Sequence, residues 1–188
     1  MQTLPVQVTK AERGSSDVDD AAQIWAEATA ARDGDHEVAG LSVSRPIIEA
    51  VLGLSPEAFV LIARADDGNA VGFAAVQPVA ARHTAAEPAG DAAAEPVTGA
   101  GAQAAGRRAE LAYFAIRPSS WGSRVGERLL RELSIRLQAA GYRQAQLLVY
   151  TDNVRAIALY QRLGWQPRGE PGPHPRTGKP EQRYELEL

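Results

Sequence analysis

Two short apolar runs flank a long amphipathic stretch between Leu111 and Tyr150, and this arrangement constrains the fold more than any other feature. Leu111 to Ile116 has the length and composition of a strand. Pro118 ends it, because proline cannot donate to a sheet ladder. Ser119, Ser120, Trp121, Gly122 and Ser123 supply a turn. From about Arg124 to Ala139, Val125, Leu129, Leu130, Leu133 and Leu137 recur on one helical face, with Arg128, Arg131, Glu132 and Arg136 mostly elsewhere. Gly141 suits the helix C-terminus. Ala145 to Tyr150 is a second strand. Val154 to Leu163 is a helix, with Ala156, Leu159, Tyr160 and Leu163 at i, i+3, i+4 and i+7, and Gly164 stops it. The sequence therefore predicts a β-α-β-α unit.

The preceding half is read from weaker signals. Val6 to Val8 alternates as a short strand. Asp17 opens a helix that Gly34 closes, with acids in its first turn. A second helix is expected from Arg45 to Leu52, with Pro46 in its first turn. Ala58 to Ala65 and Ala70 to Val79 read as antiparallel strands joined by a turn at Asp66-Asp67-Gly68-Asn69. From about Ala80 to Gly106 the chain turns to Ala, Gly, Pro and Glu. Such a stretch has too little apolar surface to offset its ordering entropy. It reads as a mobile insertion, with a lid over a substrate cleft as the alternative. The tail gives a Pro/Gly-rich loop and then a strand from Tyr184 to Leu188.

With 188 residues, a single domain spanning 1–188 is expected. A net charge of -3 gives no overall bias towards nucleic acid or an anionic membrane. No apolar run reaches the roughly 20 residues that span a bilayer. The first residues lack the apolar core of a secretory signal. A cytoplasmic protein is expected. There is no cysteine, which excludes disulfides and thiolate chemistry. His36, His83 and His174 are isolated, so no metal site is expected.

Strand, glycine turn and helix together make a potential anion site, because the first helical turn leaves backbone N–H groups unpaired. Gly122 and Gly126 permit close approach, and Arg124 adds a positive charge. The same residues also read as a tight turn capped by Ser123. Asn153 and Tyr160 lie seven residues apart, about two helical turns, if Asn153 caps the helix. A plain cap and a core tyrosine would look the same.

Taken in series, these residues resemble the acetyl-coenzyme A binding core of the GNAT N-acyltransferase superfamily. The resemblance rests on Ile116-Arg117-Pro118, on Trp121 to Gly126 with Leu129-Leu130, on Asn153-x-x-Ala156-x-x-x-Tyr160, and on Arg162-Leu163-Gly164-Trp165. It covers about a third of the chain. It implies an α/β fold with a central mixed sheet (α+β) of six to seven strands and about four flanking helices. Two positions depart from the family pattern. Trp121 stands where Arg or Gln is usual, and Arg124 stands at the first glycine of the loop.

The resemblance also implies roles. The end of the first core strand, Phe114, Ala115 and Ile116, would part from its neighbour and offer backbone groups to the pantetheine arm of acetyl-CoA. Trp121, Gly122, Ser123, Arg124, Val125 and Gly126 would hold the diphosphate, and Asn153 would touch the arm. Tyr160 would protonate the leaving thiolate. Glu110 is the candidate base for the acceptor amine. Period-two spacing puts it on the strand face of Ile116, and an exposed edge glutamate is the alternative. Asp152 and His83 are weaker candidates. A glutamate found in some N-terminal acetyltransferases is replaced here by Leu148.

The expected activity is acetyl transfer from acetyl-CoA to a primary amine by direct attack. The alternative is an acyl-CoA-binding module without catalysis. The acidic groups Asp17, Asp19, Asp20, Asp33, Asp35 and Glu37 would either attract a cationic acceptor or serve as a helix bias and a solvated loop. Dimerisation is common in the family, and the sequence shows no interface.

Overall fold

In the computed structural model, residues 4–79 and 107–188 are described. The Ala/Gly-rich segment lies outside them, so its expected mobility and its reading as a lid are not addressed by the structure. Seven strands form one sheet: β1 (Val6–Lys10), β2 (Phe59–Ala65), β3 (Ala70–Pro78), β4 (Arg107–Ile116), β5 (Tyr142–Tyr150), β6 (Gln166–Pro173) and β7 (Pro180–Glu187). Their order across the sheet is β1-β2-β3-β4-β5-β7-β6. Only β4 and β5 run parallel among these neighbours; every other pair is antiparallel. The mixed sheet and its four helices match the architecture expected from the sequence.

The helices are α1 (Ser16–Asp33), α2 (Leu41–Gly53), α3 (Val125–Ala139) and α4 (Val154–Arg162). Ser15 caps α1 by accepting from the Asp17 amide, and Gly34 ends it in the left-handed conformation at φ 75°. α2 begins a turn earlier than expected, so Pro46 lies inside it rather than in its first turn.

Two cores lie on opposite faces of the sheet. Val18, Ile24, Ile48, Ile62 and Phe73 join α1 and α2 to one face. Leu129, Leu133, Leu137, Leu147, Tyr160 and Trp165 join α3 and α4 to the other. β3 is buried on both faces from Ala70 to Val76, which explains its near-continuous apolar sequence.

β6 was expected to be loop, because QPRGEPGP holds three prolines and two glycines. It is a strand at the sheet edge, the one position where proline's missing donor is tolerated. Its register with β7 shifts between Arg168 and Gly172. There the buried Gln182 amide donates to the Arg168 and Gly169 carbonyls, at 2.9 and 3.1 Å. A side chain thus replaces the missing ladder, a contact that local sequence does not announce.

Candidate active site

β4 and β5 pair only from Arg107↔Tyr142 to Glu110↔Gln146. Beyond Glu110 they part, while β4 keeps its β3 partners: Phe114 opposes Ala74, Ala115 opposes Phe73, and Ile116 opposes Gly72. The cause is visible in the β3–β4 register. Leu111 opposes Val76 and Tyr113 opposes Ala75, leaving Ala112 as an extra residue. A bulge of this kind bends its strand. The wedge between β4 and β5 opens towards the C-terminal ends of both, and the β5 side of Phe114, Ala115 and Ile116 has no strand partner among the described residues.

The bulge corrects one inference from sequence. Ala109 and Leu111 face the α3/α4 core, and so do Phe114 and Ile116, whereas Ala112, Tyr113 and Ala115 face α1. The extra residue therefore reverses the alternation, and Glu110 lies on the face opposite Ile116. Period two fails across a bulge. Glu110 sits at the vertex of the wedge on the α1 side, half-buried, opposite Gln77 and beside Gln146. Arg108 donates to Gln146 Oε1 at 2.9 Å on this face. Gln77 Oε1 and Arg108 Nε are buried without a partner among the described residues.

At the mouth of the wedge, Pro118–Ser120 form a single 3₁₀ turn, and the chain then enters α3 through two left-handed residues. Gly122 has φ 81° and Arg124 φ 64°; Arg124 is the one non-glycine residue with positive φ among those described. Side chains pay a steric penalty in this region that glycine avoids. Arg124 is the N-cap of α3 and makes no side-chain capping bond. Ser123, expected as the alternative cap, donates instead to the Ser120 carbonyl. The first amides of α3 therefore face outward without a side-chain acceptor, unlike those of α4, where Asn153 Oδ1 accepts from Ala156 N at 3.3 Å. A Cβ on Gly122 would meet nothing within 4 Å, so there is open space over this turn. Gly126 has a different duty. A Cβ there would lie 3.1 Å from Leu159 Cδ2 and 3.4 Å from Phe114 Cζ, so this glycine lets α3 approach β4 and α4. Val125 is buried beneath the turn. An uncapped helix start, an open backbone turn and a flanking arginine fit a diphosphate.

Trp121 folds back so that its Nε1–H donates to the Ile116 carbonyl at 2.8 Å. The guanidinium of Arg155, in the first turn of α4, lies 4.3 Å from the centre of its ring. Arg155 stood among the unspecified positions of the Asn153–Tyr160 motif, and no local pattern pairs it with Trp121.

Tyr160 points from α4 into the core, 5% exposed, with Phe114 and Trp165 rings at 6.2 and 5.9 Å. Burial pushes its phenol well above the ordinary value, so the proton stays on the oxygen. Its hydroxyl has no hydrogen-bond partner among the described residues. Asn153 both caps α4 and stands at the end of the wedge.

On the α1 face, an open cleft of about 450 Å³ lies between α1 and the residues after β4, lined in part by Glu27, Asp35, Val38 and Arg117. Arg117 pairs with Glu27 at 3.2 Å. The side of this face is closed at Tyr150. Its hydroxyl meets Thr177 Oγ1 at 3.2 Å, and Arg32 and Lys179 flank its ring at 5.3 and 5.7 Å. The acidic run at the start of α1 is not free to attract a cation. Asp17 and Asp20 both pair with Arg64, and Asp19 pairs with Arg45. Asp33 pairs with Arg32 and Lys179.

Comparison with known proteins agrees with this geometry. The model of the Acetyltransferase (GNAT) family matches residues 23–165. The chain belongs to the GNAT family, and acetyl transfer is the general activity that membership carries. No curated protein matched significantly in sequence. Among solved structures, the NatC complex bound to Gag peptide and CoA superposes with a TM-score of 0.68 at 13% identity, covering 100% of this chain and 99% of that one. The ribosomal-protein-S18-alanine N-acetyltransferase of Escherichia coli gives 0.67 at 18% identity, covering 98% and 94%. A GCN5-related N-acetyltransferase from Kribbella flavida gives 0.63 at 21%, covering 97% and 98%. These likenesses establish the fold. No helix among the described residues is long and apolar enough to cross a membrane.

Proposed function

We propose that the protein is a single-domain N-acetyltransferase that moves an acetyl group from acetyl-CoA to a primary amine by direct attack. The observation that carries this reading is the wedge between β4 and β5 with an uncapped helix start at its mouth. The resemblance, the family match and a structural neighbour described as bound to CoA support the donor. The α3 amides and the Gly122–Arg124 turn would hold the diphosphate. Phe114, Ala115 and Ile116 would bind the pantetheine amides through their free backbone edge, with Asn153 against the same arm.

The two faces of the sheet divide the proton chemistry. Tyr160 belongs to the α3/α4 face, and burial keeps its phenol protonated, so it holds a proton to give. That suits protonation of the thiolate as the thioester breaks. Glu110 reaches the wedge from the α1 face, beside the unpartnered Gln77 Oε1 and Arg108 Nε. An amine arriving there is mostly ammonium near neutral pH, and Glu110 would take its proton directly or through water. The nitrogen then attacks the acyl carbon and coenzyme A leaves as the thiol. The cleft between α1 and the residues after β4 gives the acceptor a route to that face.

The test is thermal stability with and without acetyl-CoA, followed by thiol release across an amine panel. Ligand at about 100 times its dissociation constant should add roughly 2.7 kcal/mol. Tyr160→Phe should keep the fold and the shift while lowering turnover about a hundredfold or more. Binding without turnover by the wild type would move the protein to a non-catalytic acyl-CoA-binding role. Absence of any shift at millimolar ligand would remove the donor site altogether.

A further inference from the structure

The sheet face that meets α1 carries a row of polar side chains across the vertex of the wedge. Gln77 on β3 opposes Glu110 on β4, Glu110 opposes Gln146 on β5, and Gln146 opposes Glu185 on β7. Arg108 lies two residues before Glu110 on the same face, a separation of roughly 7 Å at the usual rise of a strand. Its head group does not turn to that neighbour. Nη2 donates to Gln146 Oε1 at 2.9 Å and to Glu185 Oε1 at 3.2 Å, reaching across β5 to β7. The Glu110 carboxylate has no ion pair or hydrogen bond among the described residues.

Reach is not what keeps Arg108 from Glu110. Arg183 meets Glu185 at 3.7 Å from two residues away on β7, the same spacing that separates Arg108 from Glu110. Arg108 is instead held by two acceptors that converge on Nη2, an amide oxygen and the Glu185 carboxylate. Glu185 is 14% exposed and also takes Arg168 at 3.5 Å. Charge-assisted bonds strengthen where water is largely excluded.

The consequence falls on Glu110. An arginine close to a carboxylate stabilises its charged form and lowers its affinity for a proton. A base weakened in this way takes a proton from an ammonium less readily. The same cation would also repel the ammonium as it arrives. The residues opposite Glu110 on β3 and β5 are neutral amides. Tyr113 shares its face of β4, Arg183 lies on β7, and α1 brings Glu27, already paired with Arg117. Within β4, Arg108 is the cation on the face of Glu110.

We propose that Glu185 is a positioning residue for acetyl transfer: by holding the Arg108 guanidinium over β5 and β7, it keeps Glu110 without a cationic partner and so able to take the acceptor's proton. This inference rests on the reading of Glu110 as base given above.

The experiment follows the Glu110 carboxyl by carbon NMR in protein with labelled glutamate, its signal assigned by loss in Glu110→Gln, alongside rate–pH profiles of acetyl transfer. Glu185→Gln keeps the volume and removes the anchor's charge. It should lower the Glu110 titration midpoint by about one pH unit or more. Transfer near neutral pH should slow about three- to tenfold, with the KM for acetyl-CoA unchanged. Adding Arg108→Met to that variant should restore the midpoint to within about 0.3 unit and the rate to within about twofold. Adding Arg168→Gln instead removes an equal charge from β6 and should restore neither. Glu185→Asp retains the charge and should hold the wild-type midpoint, which keeps the test open if Glu185→Gln folds poorly. An unmoved midpoint in Glu185→Gln, or a shift that persists in the double variant with Arg108→Met, would overturn the role of Glu185 alone. A rate–pH profile that Glu110→Gln leaves parallel to the wild type would overturn the reading of Glu110 as base, and the role of Glu185 with it, whatever the titration shows.

Discussion

Arg124 is the residue at which this chain departs most from its family's pattern, and its φ of 64° shows that the turn has kept the glycine conformation without the glycine. Strain of this kind persists where the surroundings impose it. Arg124→Gly should therefore raise stability by about 1 kcal/mol, or roughly 2–4 °C in melting temperature for a chain of this size. Arg124→Ala should give no such gain, because alanine keeps the Cβ. Calorimetry on the two variants separates conformation from charge. Glu110 allows a sharper test of chemistry. Glu110→Gln should slow acetyl transfer at neutral pH and recover as pH rises, since an alkaline solution deprotonates the amine without help. A rate–pH profile parallel to the wild type would remove Glu110 from the role of base. The position of Glu110 was legible in the sequence but its direction was not, because the Ala112 bulge that sets it leaves no mark on the apolar pattern of β4.

At the scale of elements, the junction of α3, α4 and β4 meets at Gly126, with Leu159 and Phe114 on either side. Gly126→Val should wedge α3 away from the sheet and destabilise by about 1–3 kcal/mol, the usual range for overpacking. It should also weaken donor binding by moving the α3 amides. A melting curve and a binding isotherm check both, and tight binding by a destabilised variant would uncouple the turn from the packing. The long periodic elements were readable because burial wrote itself into their sequences: α3 through its leucine face, β2 and β3 through unbroken apolar runs. β6 was not, because its strand character comes from Gln182 and β7 rather than from its own residues. The start of β4 was missed for a similar reason. Arg107 and Arg108 look like linker, yet Arg107 is held by Glu57 at 2.6 Å and by the Tyr142 ring at 4.4 Å.

For the whole molecule, the ends of the segment outside the described residues meet as neighbours. The Val79 amide donates to the Arg108 carbonyl at 2.8 Å, and Pro78 opposes Ala109. With the two ends paired, replacing 80–106 with a two-residue Asn-Gly turn should leave the described sheet intact. A loss of stability in denaturant titration would give the segment a packing role. The β6 edge has a consequence for the protein at high concentration. With Pro167, Pro171 and Pro173 along it, the strand lacks the row of free amides that a neighbouring molecule's backbone would need for docking. Growth of the sheet from copy to copy is blocked at that side. Among the described strands, the other edge open to such pairing is the five-residue β1, and fibril growth through the long outer strand is opposed by the residues that made it look like a loop.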